Sequence, residues 1–452
     1  MSTKLAPGPK GYPLIGSFPA LKKDPIGFFV KSVQEFGDLV RFNLGPWCAH
    51  LVSNPEHVKY VLQDNNRNYD RQTLGHKRIR AVLGNGLVNS DGAFWLRQRR
   101  IAQPAFHRQR IASFASLVVK DTVDMLADWE NYAETGQVVD IGEEMLTITL
   151  RIVAQALLDT DVNESGANVI SEAVIVAMRH INYRITNPLS LPESIPTPGN
   201  LRFHKAVAAL DKIVYGMILE RRKTNIEKKD FLSMLISACD EETGEKMNDE
   251  QLRDEVMTMF LAGHETTAGT LTWVWYLLSK HPVVTRQVRL ELEEVLEGRL
   301  ATFEDLPKLK YTNKVLKEVL RIYPSVWTFL RSAIADDEIG GYHIPAKSIM
   351  ILSPYITHRD TRFWENPEEF DPERFTPERF SQLPRFAYFP FGGGPHLCIG
   401  NDFAIMEALL IIVTVLQKYQ LDLLPGPLVE IEPLITIRPR QALAMQIKKI
   451  NS

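Results

Sequence analysis

The sequence predicts a mainly α-helical chain with small β-sheets, folded as one domain over residues 1–452. Three observations carry that expectation. From about residue 94 to 320, apolar residues recur at three- and four-residue spacing, the period of helices with one buried face. Within that stretch, Asp249 to His281 can form one helix of about 33 residues, roughly 50 Å long at 1.5 Å per residue. Strand-like runs, by contrast, are short and confined to the two ends of the sequence. No repeat, low-complexity tract or linker divides the chain.

Composition narrows the function classes. Hydrophobic residues make up 45% and charged residues 24%, values of an ordinary globular protein. A formal net charge of −3 gives no basis for nucleic-acid binding. The three cysteines, Cys48, Cys239 and Cys398, are far apart and odd in number, so no disulfide framework is implied and a reducing cytoplasm fits. The N-terminus lacks the apolar run of a signal peptide, and no stretch has 18 uninterrupted apolar residues. A cytoplasmic protein without a membrane anchor is expected, of bacterial type or truncated.

Taken in order, Leu39–Leu44 and Cys48–Ser53 flank Gly45-Pro46-Trp47 and predict a β-hairpin. The long central helix has Asn248 as N-cap and Gln251 three residues on, a capping box, with Pro282 as its stop. In its middle lies Ala262-Gly263-His264-Glu265-Thr266-Thr267. Position 266 shares a helical face with 258, 262 and 269, and Glu265 lies beside that face. Gly263 and the threonines are expected to loosen the local hydrogen-bond ladder and open a notch. A carboxylate and an alcohol in an apolar helix need partners, because burying them alone is costly. A threonine bonded back to its own helix with a glutamate in a salt bridge would satisfy that requirement, and so would a proton-handling pair.

Glu318-Val-Leu-Arg321 is a helical i, i+3 acid–base pair, followed by Phe370-Asp-Pro-Glu-Arg374-Phe375. Between them, His358 reads as a packed loop histidine rather than a metal ligand. Trp95 and Arg99 put an indole donor and a guanidinium on one helical face. Strand-like runs return at 348–353, 435–437 and 443–447. The most specific segment is Phe391-Gly-Gly-Gly-Pro-His396-Leu-Cys398-Ile-Gly400, a lone cysteine in a glycine-rich loop before an apolar helix. Glycines let the backbone turn tightly and approach a bound group, and a helix N-terminus favours thiolate over thiol.

This segment resembles the haem-binding signature of the cytochrome P450 family, in which the cysteine is the axial ligand of haem iron. The resemblance extends over nearly the whole chain, with the other motifs in the family's order. It implies the family's triangular, helix-rich single domain, with haem b between the long central helix and the cysteine loop. Glu265 and Thr266 match the family's oxygen-activating acid and alcohol. Trp95, Arg99, Arg331 and His396 match positions that grip the haem propionates, histidine standing where many members have arginine. Phe391, Ala262 and Gly400 are implied to lie against the haem. Glu318, Arg321 and Arg374 match a structural ion-pair network.

The function implied is a haem-thiolate monooxygenase. It would insert one oxygen atom from O2 into a C–H or C=C bond of a lipophilic small molecule. Val88, Thr258, Leu261, Ala262, Val326, Thr328 and Ile435 match the family's substrate-facing regions; most are apolar and suit a fatty acid, terpenoid, steroid-like compound or polyketide. Electrons from NAD(P)H would arrive through a separate ferredoxin or flavodoxin, since no flavin or iron–sulfur segment follows the cysteine. Arg97, Arg100, Arg108 and Arg110 offer a basic patch for such a donor, or a solvated helix face. A monomer is expected. A peroxide-driven haem peroxygenase and a non-catalytic haem-binding protein are the alternatives.

Overall fold

A computed structural model describes residues 3–158, 164–187, 190–224 and 230–450. Parts of the expected helical body, 159–163, 188–189 and 225–229, lie outside the described residues. The chain divides into two compact units, each assembled from separated stretches. One comprises Met1–Lys77, Lys317–Cys398 and Pro433–Ile437; the other comprises Arg78–Leu316, Ile399–Glu432 and Arg438–Ser452.

The first unit is built on a five-stranded sheet in the order Leu39–Leu44, Trp47–Val52, Ile349–Leu352, Phe329–Ala333, Tyr69–Asp70. The expected hairpin is present, closed by Gly45 and Pro46 between the paired residues Leu44 and Trp47, with Gly45 at φ 58°. Trp47–Val52 runs parallel to Ile349–Leu352, which pairs antiparallel with Phe329–Ala333. Ile349–Leu352, the middle strand, is apolar throughout, and Leu51, Val52, Met350 and Leu352 are buried. The expected strand at 435–437 instead begins at Ile437 and pairs with Ile431–Pro433. Leu434 and Thr436 close a tight turn through Leu434 N–H to Thr436 O at 3.1 Å, which bends the segment ahead of it.

The second unit is helical, with a three-stranded sheet of Val138–Asp140, Ala444–Lys449 and Tyr419–Leu423. Its axis is the central helix Asp249–Lys280, 32 residues long, with the Asn248–Gln251 capping box formed as expected. It stops one residue short of expectation because His281 precedes Pro282, whose ring disfavours helical backbone at the residue before it. The helix is continuous through Gly263, and a Cβ there would lie 3.2 Å from Val153 Cγ2. Glycine therefore serves close packing against the helix Ile141–Leu158, where Thr149 Oγ1 donates to His264 O at 3.1 Å.

Helix Asn401–Leu416, which follows the cysteine loop, is buried along most of its length and apolar nearly all round. Glu407 is the exception. It is fully buried, and burial pushes its carboxyl up to about 8, while the Thr267 hydroxyl pulls the other way. Unfolded, the group would titrate near 4.5, so between those values the folded chain holds a proton that the unfolded chain has lost. Its contribution to stability therefore falls as pH rises through that window. Glu407→Gln should gain on the order of 3 kcal/mol relative to the parent between pH 5 and pH 8, read from denaturant unfolding at the two pH values.

Candidate functional site

The cysteine loop is shaped by glycines that no other residue can replace without displacement. Gly392 has φ 73° and Gly394 φ 65°. A Cβ on Gly394 would sit 1.8 Å from Leu62 O, and one on Gly393 would sit 2.3 Å from Phe386 Cε1. The loop closes on itself where Cys398 N–H donates to Phe391 O at 3.1 Å and Leu397 N–H to Gly394 O at 3.1 Å. Cys398 is exposed and belongs to no disulfide. His396 and Phe391 are half-buried in the same loop.

A buried network holds this loop from behind. Arg321 donates to both oxygens of Glu318, at 2.7 and 2.8 Å, and both side chains are fully buried. Its remaining donors go to His358 O at 2.9 Å and Glu369 O at 3.2 Å. Arg374 Nε lies 3.4 Å from Glu318 Oε1, and its Nη2 donates to Asn366 O at 2.9 Å. Every charge in this group has a partner, as its burial requires. His358 Nε2 accepts from Phe389 N–H at 2.9 Å, so that nitrogen carries no proton, and Nδ1 faces Arg321 O at 3.3 Å. The histidine is the packed loop residue that the sequence suggested, and burial holds its pKa well below the usual value.

Arg331 is buried on the strand Phe329–Ala333 and gives Nη1 to Leu330 O at 2.8 Å. Val326, Thr328 and Ile435 are half-buried. Their two segments are tied side by side by Trp327 Nε1 to Leu434 O at 2.8 Å and Ile437 N–H to Ser325 O at 3.0 Å.

In the helical unit, Thr266 Oγ1 donates to Ala262 O at 2.6 Å, and Thr270 Oγ1 donates to Thr266 O at 3.0 Å. Glu265 and Thr266 are half-buried and Ala262 is exposed, whereas Thr258 and Leu261 are buried. Trp95 is buried and Arg99 half-buried on the helix Gly92–Ala102. Gly400 is the N-cap of the helix Asn401–Leu416, and Val88 is half-buried in the turn Gly84–Ser90.

The basic patch is corrected. Arg97 pairs with Glu245, and Arg100 binds Asp240 in bidentate fashion at 2.7 and 2.9 Å and Glu242 at 2.6 Å. The acidic segment 240–245 neutralises both arginines, leaving Arg108 and Arg110 as the exposed cations of the set. Sequence reading also passed over Asp254 and Glu255, an acidic pair on the buried side of the central helix. Burial pushes the Glu255 carboxyl up to about 7 against the pull of the Leu87 N–H and Gln98. Their signal was two adjacent carboxylates on an otherwise apolar face, opposite a Gly-Asn-Gly turn.

The donor set fits haem. Among the described residues no cluster of three or more His, Cys, Asp or Glu is placed to hold a metal ion. A lone thiol in a glycine cradle supplies one ligand only, which suits a metal whose other ligands come with its own macrocycle.

A helix-rich chain with one cysteine offered by a glycine loop and a helix N-terminus behind it defines the haem-thiolate class. The chain belongs to the cytochrome P450 family: the family model, described as cytochrome P450, matches residues 6–449. The chain is 39% identical to cyclooctat-9-en-7-ol 5-monooxygenase of Streptomyces melanosporofaciens, covering 94% of this chain and 91% of that protein. It is 32% identical to pentalenene oxygenase of Streptomyces avermitilis, covering 95% and 92%. The crystal structure of the cytochrome P450DA heme domain superposes with a TM-score of 0.91 at 28% identity, covering 99% and 98% of the two chains. The protein is thus a P450 monooxygenase that uses haem b, O2, a lipophilic substrate and a redox partner. Among the described residues no helix is long and apolar enough to cross a membrane.

Proposed function

We propose that this protein hydroxylates a terpenoid, acting as a single cytochrome P450 domain over residues 1–452. The observation that carries the substrate class is the 39% identity over 94% of the chain to an oxygenase of a cyclooctatane alcohol. In the helical unit the exposed Ala262 and half-buried Val88 would offer it apolar surface, backed by the buried Thr258 and Leu261; in the sheet unit the half-buried Val326, Thr328 and Ile435 would do the same. Electrons would come from an acidic ferredoxin or flavodoxin meeting Arg108 and Arg110. A monomer in the cytoplasm is consistent with three cysteines outside any disulfide.

Cys398 would be the axial ligand, with Phe391 and Gly400 shaping its surroundings and Trp95, Arg99, Arg331 and His396 holding the propionates. When bound, the haem supplies the binding and reductive splitting of dioxygen. The chain's own part is positional and protonic. Because Thr266 commits its proton to Ala262 O, its oxygen is left as an acceptor. It can therefore hold an ordered water, or a proton relayed by Glu265, at one fixed point on the helix. Loss of that acceptor should leave NADPH consumption running while its yield fails. Thr266→Ala is expected to cut product formed per NADPH by roughly tenfold to a hundredfold, with peroxide in its place.

The deciding experiment supplies a surrogate ferredoxin, its reductase and NADPH, with cyclooctat-9-en-7-ol and lauric acid as separate probes under labelled dioxygen. A terpenoid product carrying one labelled oxygen supports the proposal. Oxidation of lauric acid alone would overturn the terpenoid assignment, and turnover with hydrogen peroxide but none with NADPH would favour a peroxygenase.

A further inference from the structure

The turn Gly84–Ser90 carries Val88 and is closed at its far end by Asn89 N–H and Ser90 N–H, which donate to Gly86 O at 2.9 and 3.0 Å. Asn89 Nδ2 donates to Gly84 O at 3.2 Å, and Ser90 Oγ to Gly86 O at 3.0 Å. Arg80 Nη2 holds Asn89 O at 3.0 Å from the preceding helix, and the N–H groups of Asn85 and Leu87 are held from the central helix. Asn85 N–H donates to Asp254 Oδ2 at 2.7 Å, and Leu87 N–H to Glu255 Oε2 at 3.1 Å. Glycine permits this approach: a Cβ on Gly84, at φ 56°, would lie 2.0 Å from Asp254 Oδ1, and one on Gly86 would lie 2.2 Å from Thr258 Oγ1.

Two further links leave this clamp. Glu255 Oε1 accepts from Gln98 Nε2 at 3.4 Å, on the helix that presents Trp95 and Arg99. Asp254 Oδ1 accepts from Arg253 Nη1 at 3.0 Å, and Arg253 Nε donates to Asp211 on the helix Pro198–Thr224 at 2.7 Å. Once ionised, above about pH 7, a fully buried carboxylate that accepts from a turn's backbone fixes that turn more firmly than apolar packing, because charge-assisted bonds are short and directional.

We infer that Glu255, seconded by Asp254, is a positioning residue for substrate specificity: it clamps the turn Gly84–Ser90 and so sets the surface that Val88 offers to the substrate. The inference rests on the proposed placement of Val88 against the substrate. The clamp touches neither substrate nor reacting atoms, and it acts through the turn.

The test uses the full haem-loaded chain and two iron-ligating probes, 4-phenylimidazole, whose ring needs room in the pocket, and imidazole, which does not. Glu255→Gln keeps the side chain's volume but removes its charge. Hydrogen exchange across residues 84–90 should accelerate about tenfold, and 4-phenylimidazole should bind about tenfold more weakly, each the worth of one charge-assisted bond. Imidazole affinity should stay unchanged. Gly86→Ala, whose methyl would meet Thr258 Oγ1, should produce the same two shifts from the opposite side of the turn. Unaltered exchange in both variants would overturn the clamp. Altered exchange with unaltered 4-phenylimidazole binding would overturn its role in specificity. Val88→Phe separates the two readings. If it changes 4-phenylimidazole binding while Glu255→Gln does not, the inference falls and the pocket stands; if Val88→Phe has no effect, the placement of Val88 falls and takes the specificity role with it.

Discussion

Cys398→His is expected to abolish the long-wavelength Soret band that the dithionite-reduced wild-type protein shows with carbon monoxide, and to reduce monooxygenase turnover to background. The reason is chemical before it is structural. A thiolate pushes electron density toward the iron and favours O–O cleavage, whereas a neutral imidazole does not. The backbone bond from residue 398 N–H to Phe391 O at 3.1 Å does not depend on the side chain, so the loop's closure should survive the change and the loss should be read as a ligand effect. A wild-type band at the short-wavelength position in freshly purified protein would mean that thiolate is not the ligand. Retention of the long-wavelength band in the variant would exclude Cys398 and direct attention to Cys48 or Cys239.

Arg321→Ala carries the second-largest expected effect, this time on stability. It strands a fully buried Glu318 with Asp371 N–H and Arg374 as its remaining partners, and it removes the donors to His358 O and Glu369 O. Breaking a buried pair from one side costs about 3–5 kcal/mol, a large share of the roughly 5–15 kcal/mol that holds a typical domain folded. Denaturant unfolding of the haem-loaded protein should show that loss, accompanied by release of haem at lower denaturant. Arg321→Lys should recover only part of it, since an ammonium cannot reproduce the two parallel bonds to Glu318. A variant within 1 kcal/mol of wild type would show that Glu318 is satisfied without Arg321 and that the pair does not hold the fold.

The parts of the site that were readable in advance are those governed by local rules. The capping box of Asn248 and Gln251, the stop at Pro282 and the glycine loop before Cys398 all follow from residues within a few positions of one another. So does the Glu318–Arg321 pair, one helical turn apart. Long-range pairings were not readable. Arg97 and Arg100 looked like a free basic face because Asp240, Glu242 and Glu245 lie about 140 residues away in the chain, a separation no periodicity reports. The packing role of Gly263 was unreadable for a related reason. A glycine in a helix can loosen the ladder or admit a neighbour, and only the position of Val153 decides between them. The clamp at Asp254 and Glu255 was legible in part: two adjacent acids on a buried helical face demand donors, but the sequence does not say that backbone N–H groups of a distant turn supply them.

The parallel pairing of Trp47–Val52 with Ile349–Leu352 has a consequence during biosynthesis. Thr357, which completes this region by donating to Ser53 O, lies 304 residues further along the chain. At 5–20 residues per second, the ribosome needs roughly 15–60 s to make that stretch. Throughout that interval the edge of a strand whose second half ends up buried has emerged without the partner it will keep. The nascent chain must therefore reach a holding factor or a transient cover before its sheet can close, and slow translation of the middle third would lengthen its exposure. For heterologous production, soluble yield should then depend on chaperone supply and growth temperature before it depends on haem supply.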